Sequence, residues 1–132
     1  MGRRYMMKVT LKDIVESQEV MRTLSNKPLR GRVAFKVARL LKKLEAELTT
    51  FNDTRVKLIE SYAKKDEEGN YVTNDKNEYQ FDQDNANKFV EEINKLLLEE
   101  LDVDANPILV DEIEDLDFTP AEMAALEPFM DE

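Results

Sequence analysis

The chain has 132 residues, no cysteine, no histidine and no tryptophan, and a formal charge of −10. Its length suits one domain with a modest core, which association between copies would help to stabilise. Without cysteine there is no disulfide framework and no thiolate nucleophile or metal ligand; without histidine the commonest general base is gone, so catalysis would fall to carboxylates, Lys, Tyr or Ser.

The net charge conceals a division. Residues 1–65 hold 16 Lys or Arg against 7 Asp or Glu, and residues 66–132 hold 3 against 22. Opposite halves of this kind can pair within a molecule or across a dimer. The start, Met1 to Met7, is basic but lacks an apolar run of signal-peptide length, and no stretch reads as a membrane span, so a soluble cytosolic protein is expected.

In chain order, Lys8 to Leu11 reads as an edge strand or as the lead-in to a helix. Thr10 with Asp13 makes a near match to a capping box, and Leu11, Ile14, Val15, Met21 and Leu24 follow at helical spacing, predicting a helix from Leu11 to Ser25. The turn composition Ser25-Asn26-Lys27-Pro28 ends it.

The stretch 29–65 contains no proline, and Gly31 is its only glycine. Val37, Leu41, Leu44, Leu48, Phe51, Leu58 and Tyr62 alternate steps of four and three, the seam of an antiparallel helix pair or coiled coil, with Arg55 occupying one seam position. Arg32, Lys36, Arg39 and Lys43 form a basic stripe with Phe35 beside it. Such a stripe is either a site for phosphates and a stacked base or an exposed face answering the acidic half. Thr49 to Arg55 concentrates weak helix formers mid-helix. Asn52 and Arg55 either face a polar cavity walled by Phe51, or Arg55 fixes the register of an oligomer.

Asp66 to Asn70 reads as a turn. Tyr71-Val72-Thr73 and Tyr79-Gln80-Phe81 then flank a polar tip as a β-hairpin. The Asp-rich spacing here lacks the ordered ligands, central glycine and closing glutamate of a calcium loop. A second amphipathic helix is expected from Asn85 to Asp102, returning antiparallel along the long one. Pro107 to Val110 offers a short strand, and Thr119-Pro120-Ala121-Glu122 opens a short capped helix. The fold expected is mainly α: a long helix and an antiparallel second helix joined by a β-hairpin, with an N-terminal helix and a short C-terminal one. It is one domain over 1–132, with a basic helical half (1–65), a hairpin (66–82) and an acidic helix and tail (83–132).

The opening Met7-Lys8-Val9-Thr10-Leu11-Lys12-Asp13-Ile14-Val15, the block 34–45, the segment Phe51-Asn52-Asp53-Thr54-Arg55 and the ending 119–129 together resemble a family of small phage and prophage proteins of Gram-positive bacteria, a domain of unknown function. The resemblance covers nearly the whole chain. It implies a bacteriophage protein in a bacterial cytoplasm and supplies no activity or catalytic residues.

Two non-enzymatic functions compete. In the first, a homo-oligomer sequesters an anionic, nucleotide-like host immune signal as an anti-defence sponge. Arg32, Lys36, Arg39, Lys43 and Arg55 would hold phosphates, Asn52 would line the cavity, and Phe35 or Phe51 would stack on the base. In the second, a virion-assembly or tail-associated component binds another phage protein through the long helix and acidic tail. Neither needs a metal, cofactor, membrane or nucleic acid. A carboxylate and metal enzyme is the third and least supported alternative, since no clustered carboxylate motif appears.

Overall fold

In the computed structural model, which describes residues 6–131, the chain is mainly helical with four short strands. It forms two compact units. The first takes the chain up to Leu48 and again from Leu98 onward; the second is Thr49–Leu97.

The first unit begins with strand β1, Met6–Thr10, paired antiparallel with β2, Glu100–Asp104, in the register Met7↔Val103 and Val9↔Leu101. Met7, Val9 and Val103 are buried while Lys8 and Glu100 point outward, a period-two division in which one face meets the core. Helix α1, Leu11–Ser25, starts as its capping box predicts: Asp13 N donates to Thr10 Oγ1 at 3.1 Å and Thr10 N donates to Asp13 Oδ2 at 2.9 Å. Its buried face, Ile14, Val20, Met21 and Leu24, meets the rest of the core, and Ser17 is satisfied there by donating to Ile14 O at 2.8 Å.

Helix α2, Gly31–Tyr62, runs unbroken through both units. In its first part it buries Val33, Val37, Leu40 and Leu44, with Leu41 and Leu48 only partly covered. The expected seam through Leu41 and Leu48 is thus corrected by a small rotation. Two rows of four-and-three spacing cross at Val37 and Leu44, and the core selects the row containing Val33 and Leu40.

After β2 come β3, Ile108–Leu109, a 3-10 turn at Val110–Glu112, helix α4, Pro120–Leu126, a second 3-10 turn at Glu127–Phe129 and β4, Met130–Asp131. β3 and β4 pair in parallel, Ile108 opposite Met130. Thr119 and Glu122 cap α4 reciprocally, with Glu122 N donating to Thr119 Oγ1 at 3.1 Å and Thr119 N to Glu122 Oε1 at 2.8 Å. The helix packs on α1. Ile108, Leu126 and Phe129 are fully buried, so the acidic tail supplies a substantial part of the core.

The second helix of the sequence reading is shorter than expected. Helix α3 is Gln83–Leu97, and Glu100–Asp104 is strand, not helix. Leu96, Leu97 and Leu101 fit a helical period. Leu101 and Val103, however, also alternate with Glu100, Asp102 and Asp104, and pairing with β1 selects that alternation.

In the second unit the expected hairpin is part of a closed device. Lys65 bridges Tyr71 and Thr73 bridges Tyr79, so three short runs are joined by two turns. Lys64 N donates to Gln80 O at 2.7 Å, Gln80 N to Val72 O at 3.0 Å and Val72 N to Lys64 O at 2.9 Å, closing a ring of three residues spaced by eight. The two turns are built alike. Asp66 Oδ1 accepts from Glu68 N and Asn70 N at 2.9 and 3.0 Å; Asn74 Oδ1 accepts from Lys76 N and Glu78 N at the same two distances. The fourth residue of each turn is left-handed, Gly69 at φ 85° and Asn77 at φ 61°, conformations that glycine and asparagine tolerate best. Tyr71 and Tyr79 occupy equivalent places after the turns and meet edge to face with centroids 5.3 Å apart. An eight-residue repeat, Asp66 to Thr73 and Asn74 to Phe81, therefore underlies the meander.

Candidate functional site: the helical faces of the long helix

The candidate residues fall on one helix but in two units. Arg32, Phe35, Lys36, Arg39 and Lys43 belong to the first unit; Phe51, Asn52 and Arg55 belong to the second.

The basic stripe is not four equivalent free cations. Lys36 Nζ lies 2.8 Å from Glu112 Oε1 and 3.4 Å from the carbonyl of Pro107, and the two side chains are only 19% and 13% exposed. Glu112 Oε1 also accepts from Leu109 N at 2.8 Å, so one carboxylate neutralises the helix cation and holds the turn after β3. Pairing between the basic and acidic parts of the chain is thus realised at this point. Arg32 is exposed and lines a cavity of about 530 Å³ with Arg30, but Asp111, Glu112 and Asp115 line it too. Those acids oppose an anionic occupant.

Arg39 and Lys43 are exposed. Phe35 is 64% exposed, with the Arg39 guanidinium carbon 5.4 Å from its ring centroid, a cation–π contact presented to solvent.

In the second unit Asn52 and Arg55 are exposed and Phe51 is half-buried. Thr49, Thr50 and Asp53 are exposed as well. The weak helix formers noted in the sequence thus begin where the first unit's core stops, and Thr54 Oγ1 donates back to Thr50 O at 2.9 Å.

The apolar side chains of this unit present a different candidate. Ala63 is the only buried residue in 49–97. Phe51, Leu58, Ile59 and Tyr62 on α2 and Phe89, Ile93, Leu96 and Leu97 on α3 are all half-buried, while Val56 and Val90 are 46% and 53% exposed. Phe81 stacks on Phe89 with centroids 5.3 Å apart, and Tyr71 Oη donates to Glu60 O at 3.1 Å. These contacts tie the meander to the start of α3 and the end of α2 without enclosing a core.

The sequence reading missed Glu112. Glu112 stands far along the chain from Lys36, and only the fold joins them.

Comparison with known proteins finds no matching family model, no matching curated protein and no matching solved structure. Among the described residues no helix is long and apolar enough to cross a membrane, and no group of three or more Asp or Glu is placed to hold a metal ion.

Proposed function

We propose that this chain is a non-enzymatic interaction protein of phage origin, an assembly or tail-associated component that works in the host cytoplasm by docking its second unit onto another protein subunit. In this reading the second part of α2 and α3 supply the docking faces, and the meander between them links the two helices.

The observation that carries the reading is the contrast in burial. A 49-residue stretch with two amphipathic helices buries a single alanine, and it has no disulfide to compensate. Half-exposed apolar faces of this kind are what helix-to-helix recognition uses. The pairing of Lys36 with Glu112 adds support, because it turns part of the basic stripe to internal charge balance.

Mass spectrometry of purified virions and of assembly intermediates from infected cells tests this. The expected result is the protein in complex with a phage structural protein, lost when Val90→Glu is introduced. Absence from both preparations sinks the assembly role.

A second reading, sequestration of an anionic nucleotide-like molecule, is favoured by one observation, the exposed Phe35–Arg39 contact with Arg32 and Lys43 on the same stripe. Native mass spectrometry of the gently purified protein would then retain an extra mass of nucleotide size. Phe35→Ala and Arg39→Glu would each abolish it at unchanged melting temperature. A bare protein mass rules this reading out.

A further inference from the structure

We propose that the cleft between the start of α2 and the turn after β3 binds a small zwitterion with an apolar body, the chemistry of short peptides with free ends and of free amino acids. Arg30 and Arg32 hold its carboxylate, and Asp111 and Asp115 hold its ammonium. The site lies wholly within the first unit and goes beyond the docking proposed for the second.

The charges of the cleft select this ligand by elimination. One side comes from residues 28–33 and the other from residues 109–116, with Pro28, Leu29, Val33, Leu109 and Leu116 as the apolar lining. Of the three acids present, Glu112 is already answered by Lys36 at 2.8 Å and by Leu109 N. What remains is two guanidiniums on one segment and two carboxylates on the other, all exposed and none in an ion pair with a described residue. An anion alone meets Asp111 and Asp115; a cation alone meets Arg30 and Arg32. Either is repelled by half of the charged lining. A molecule with opposite charges at its two ends satisfies both halves, and its apolar middle covers the leucines.

The frame supports the same ligand. A cavity of about 530 Å³ lies in the range of small-molecule sites. Its four charges stay apart although Lys36 and Glu112 do close an ion pair between the same two regions of the chain. Two restraints hold the sides in place. Pro28 fixes the backbone where the chain turns into α2. Glu112 ties its turn both to α2, through Lys36, and to β3, through Leu109 N. A ligand therefore meets charges carried on a framework that is already built, which spares part of the cost of ordering a site on binding.

The test is isothermal titration calorimetry of the full chain with trileucine, its N-acetylated form, its C-amidated form, free leucine and inorganic phosphate. Trileucine is expected to bind, and acetylation or amidation should each weaken it by about tenfold or more. Replacing both arginines, Arg30→Gln with Arg32→Gln, should abolish the penalty of amidation and keep that of acetylation. Asp111→Asn with Asp115→Asn should do the reverse. All four positions are exposed, so the melting temperature should hold, and the capped peptides on the wild type carry the test by themselves if a variant loses its fold. Free leucine binding more tightly than trileucine sustains the zwitterion site and assigns it to a free amino acid. Failure of both trileucine and leucine to bind in the millimolar range overturns the inference. So do capped peptides that bind as well as the free one, which would make the cleft merely apolar, and phosphate that binds as well as trileucine, which would make it an anion site.

Discussion

The two units solve the same problem in opposite ways. In the first, segments far apart in the chain converge, so that α1, the start of α2, β2 and the acidic tail together bury Ile14, Leu24, Leu40, Ile108, Leu126 and Phe129. In the second, the chain goes out along one helix, turns through a hydrogen-bonded meander and enters another, and almost nothing is enclosed. The lesson is that similar amphipathic helices stand in different energetic positions. What separates them is whether distant segments arrive to cover the apolar face, and composition alone does not report that.

Matched truncations test this contrast most strongly. Phe129→Ala, at a fully buried position, should cost about 3–5 kcal/mol, and Leu40→Ala about 2–5 kcal/mol. Both should lower the main thermal transition sharply. Leu58→Ala, half-buried in the second unit, should cost well under half of the Leu40 value in a monomeric sample. If Leu58 costs as much as Leu40 only when a partner protein is bound, that partner supplies the missing cover; equal costs in a verified monomer would erase the distinction between the units.

The ion pair gives the next effect. Glu112→Ala strands the Lys36 ammonium and leaves Leu109 N–H without its acceptor, a loss of about 2–3 kcal/mol in chemical denaturation. Lys36→Met removes the charge while keeping much of the stem and should cost less. A Lys36→Met variant as damaged as Glu112→Ala would show that the stranded Glu112 carboxylate costs as much as the stranded ammonium.

Smaller effects belong to the meander. Asp66→Ala and Asn74→Ala each remove an acceptor of two backbone amides and should cost about 1 kcal/mol apiece, similar to each other because the turns repeat. Asn77→Gly, at φ 61°, should be neutral or stabilise by up to about 1 kcal/mol. The smallest shift is expected at Asn52. Asn52→Ala, on the exposed helix surface just past the first unit, should stabilise by about 0.5 kcal/mol through helix propensity. Destabilisation there would mean that the amide is already engaged by a partner.

Local chemistry was the legible part of this fold. Both reciprocal caps, Thr10 with Asp13 and Thr119 with Glu122, appear where the sequence places them, and α1 spans Leu11–Ser25 as read. The mainly helical class follows from the same periodicities. Less legible were choices that only non-local pairing makes. Leu101 satisfies both a helical and an alternating pattern, and β1, nearly a hundred residues earlier, decides between them. Val37 and Leu44 lie on two possible rows, and the core packed around α2 picks one. The pairing of Lys36 with Glu112 depends on the fold in the same way. The eight-residue repeat from Asp66 could have been found, but its two copies share residue types at only a few positions. As for the candidate site, the sequence located the basic stripe and the odd Arg55, while the neutralisation of Lys36 and the openness of the second unit required the fold.

The ring formed by Lys64, Val72 and Gln80 has a consequence for the behaviour of the protein in concentrated solution. Each of the three residues donates its amide to the next and accepts from the previous one. A short aromatic meander of the ordinary kind leaves a free edge to which another chain can add. Here the loop of bonds returns to its own start, and at that level there is no edge to extend. The most β-like part of the unit is thereby closed to strand-by-strand growth, leaving the helices as its route to partners.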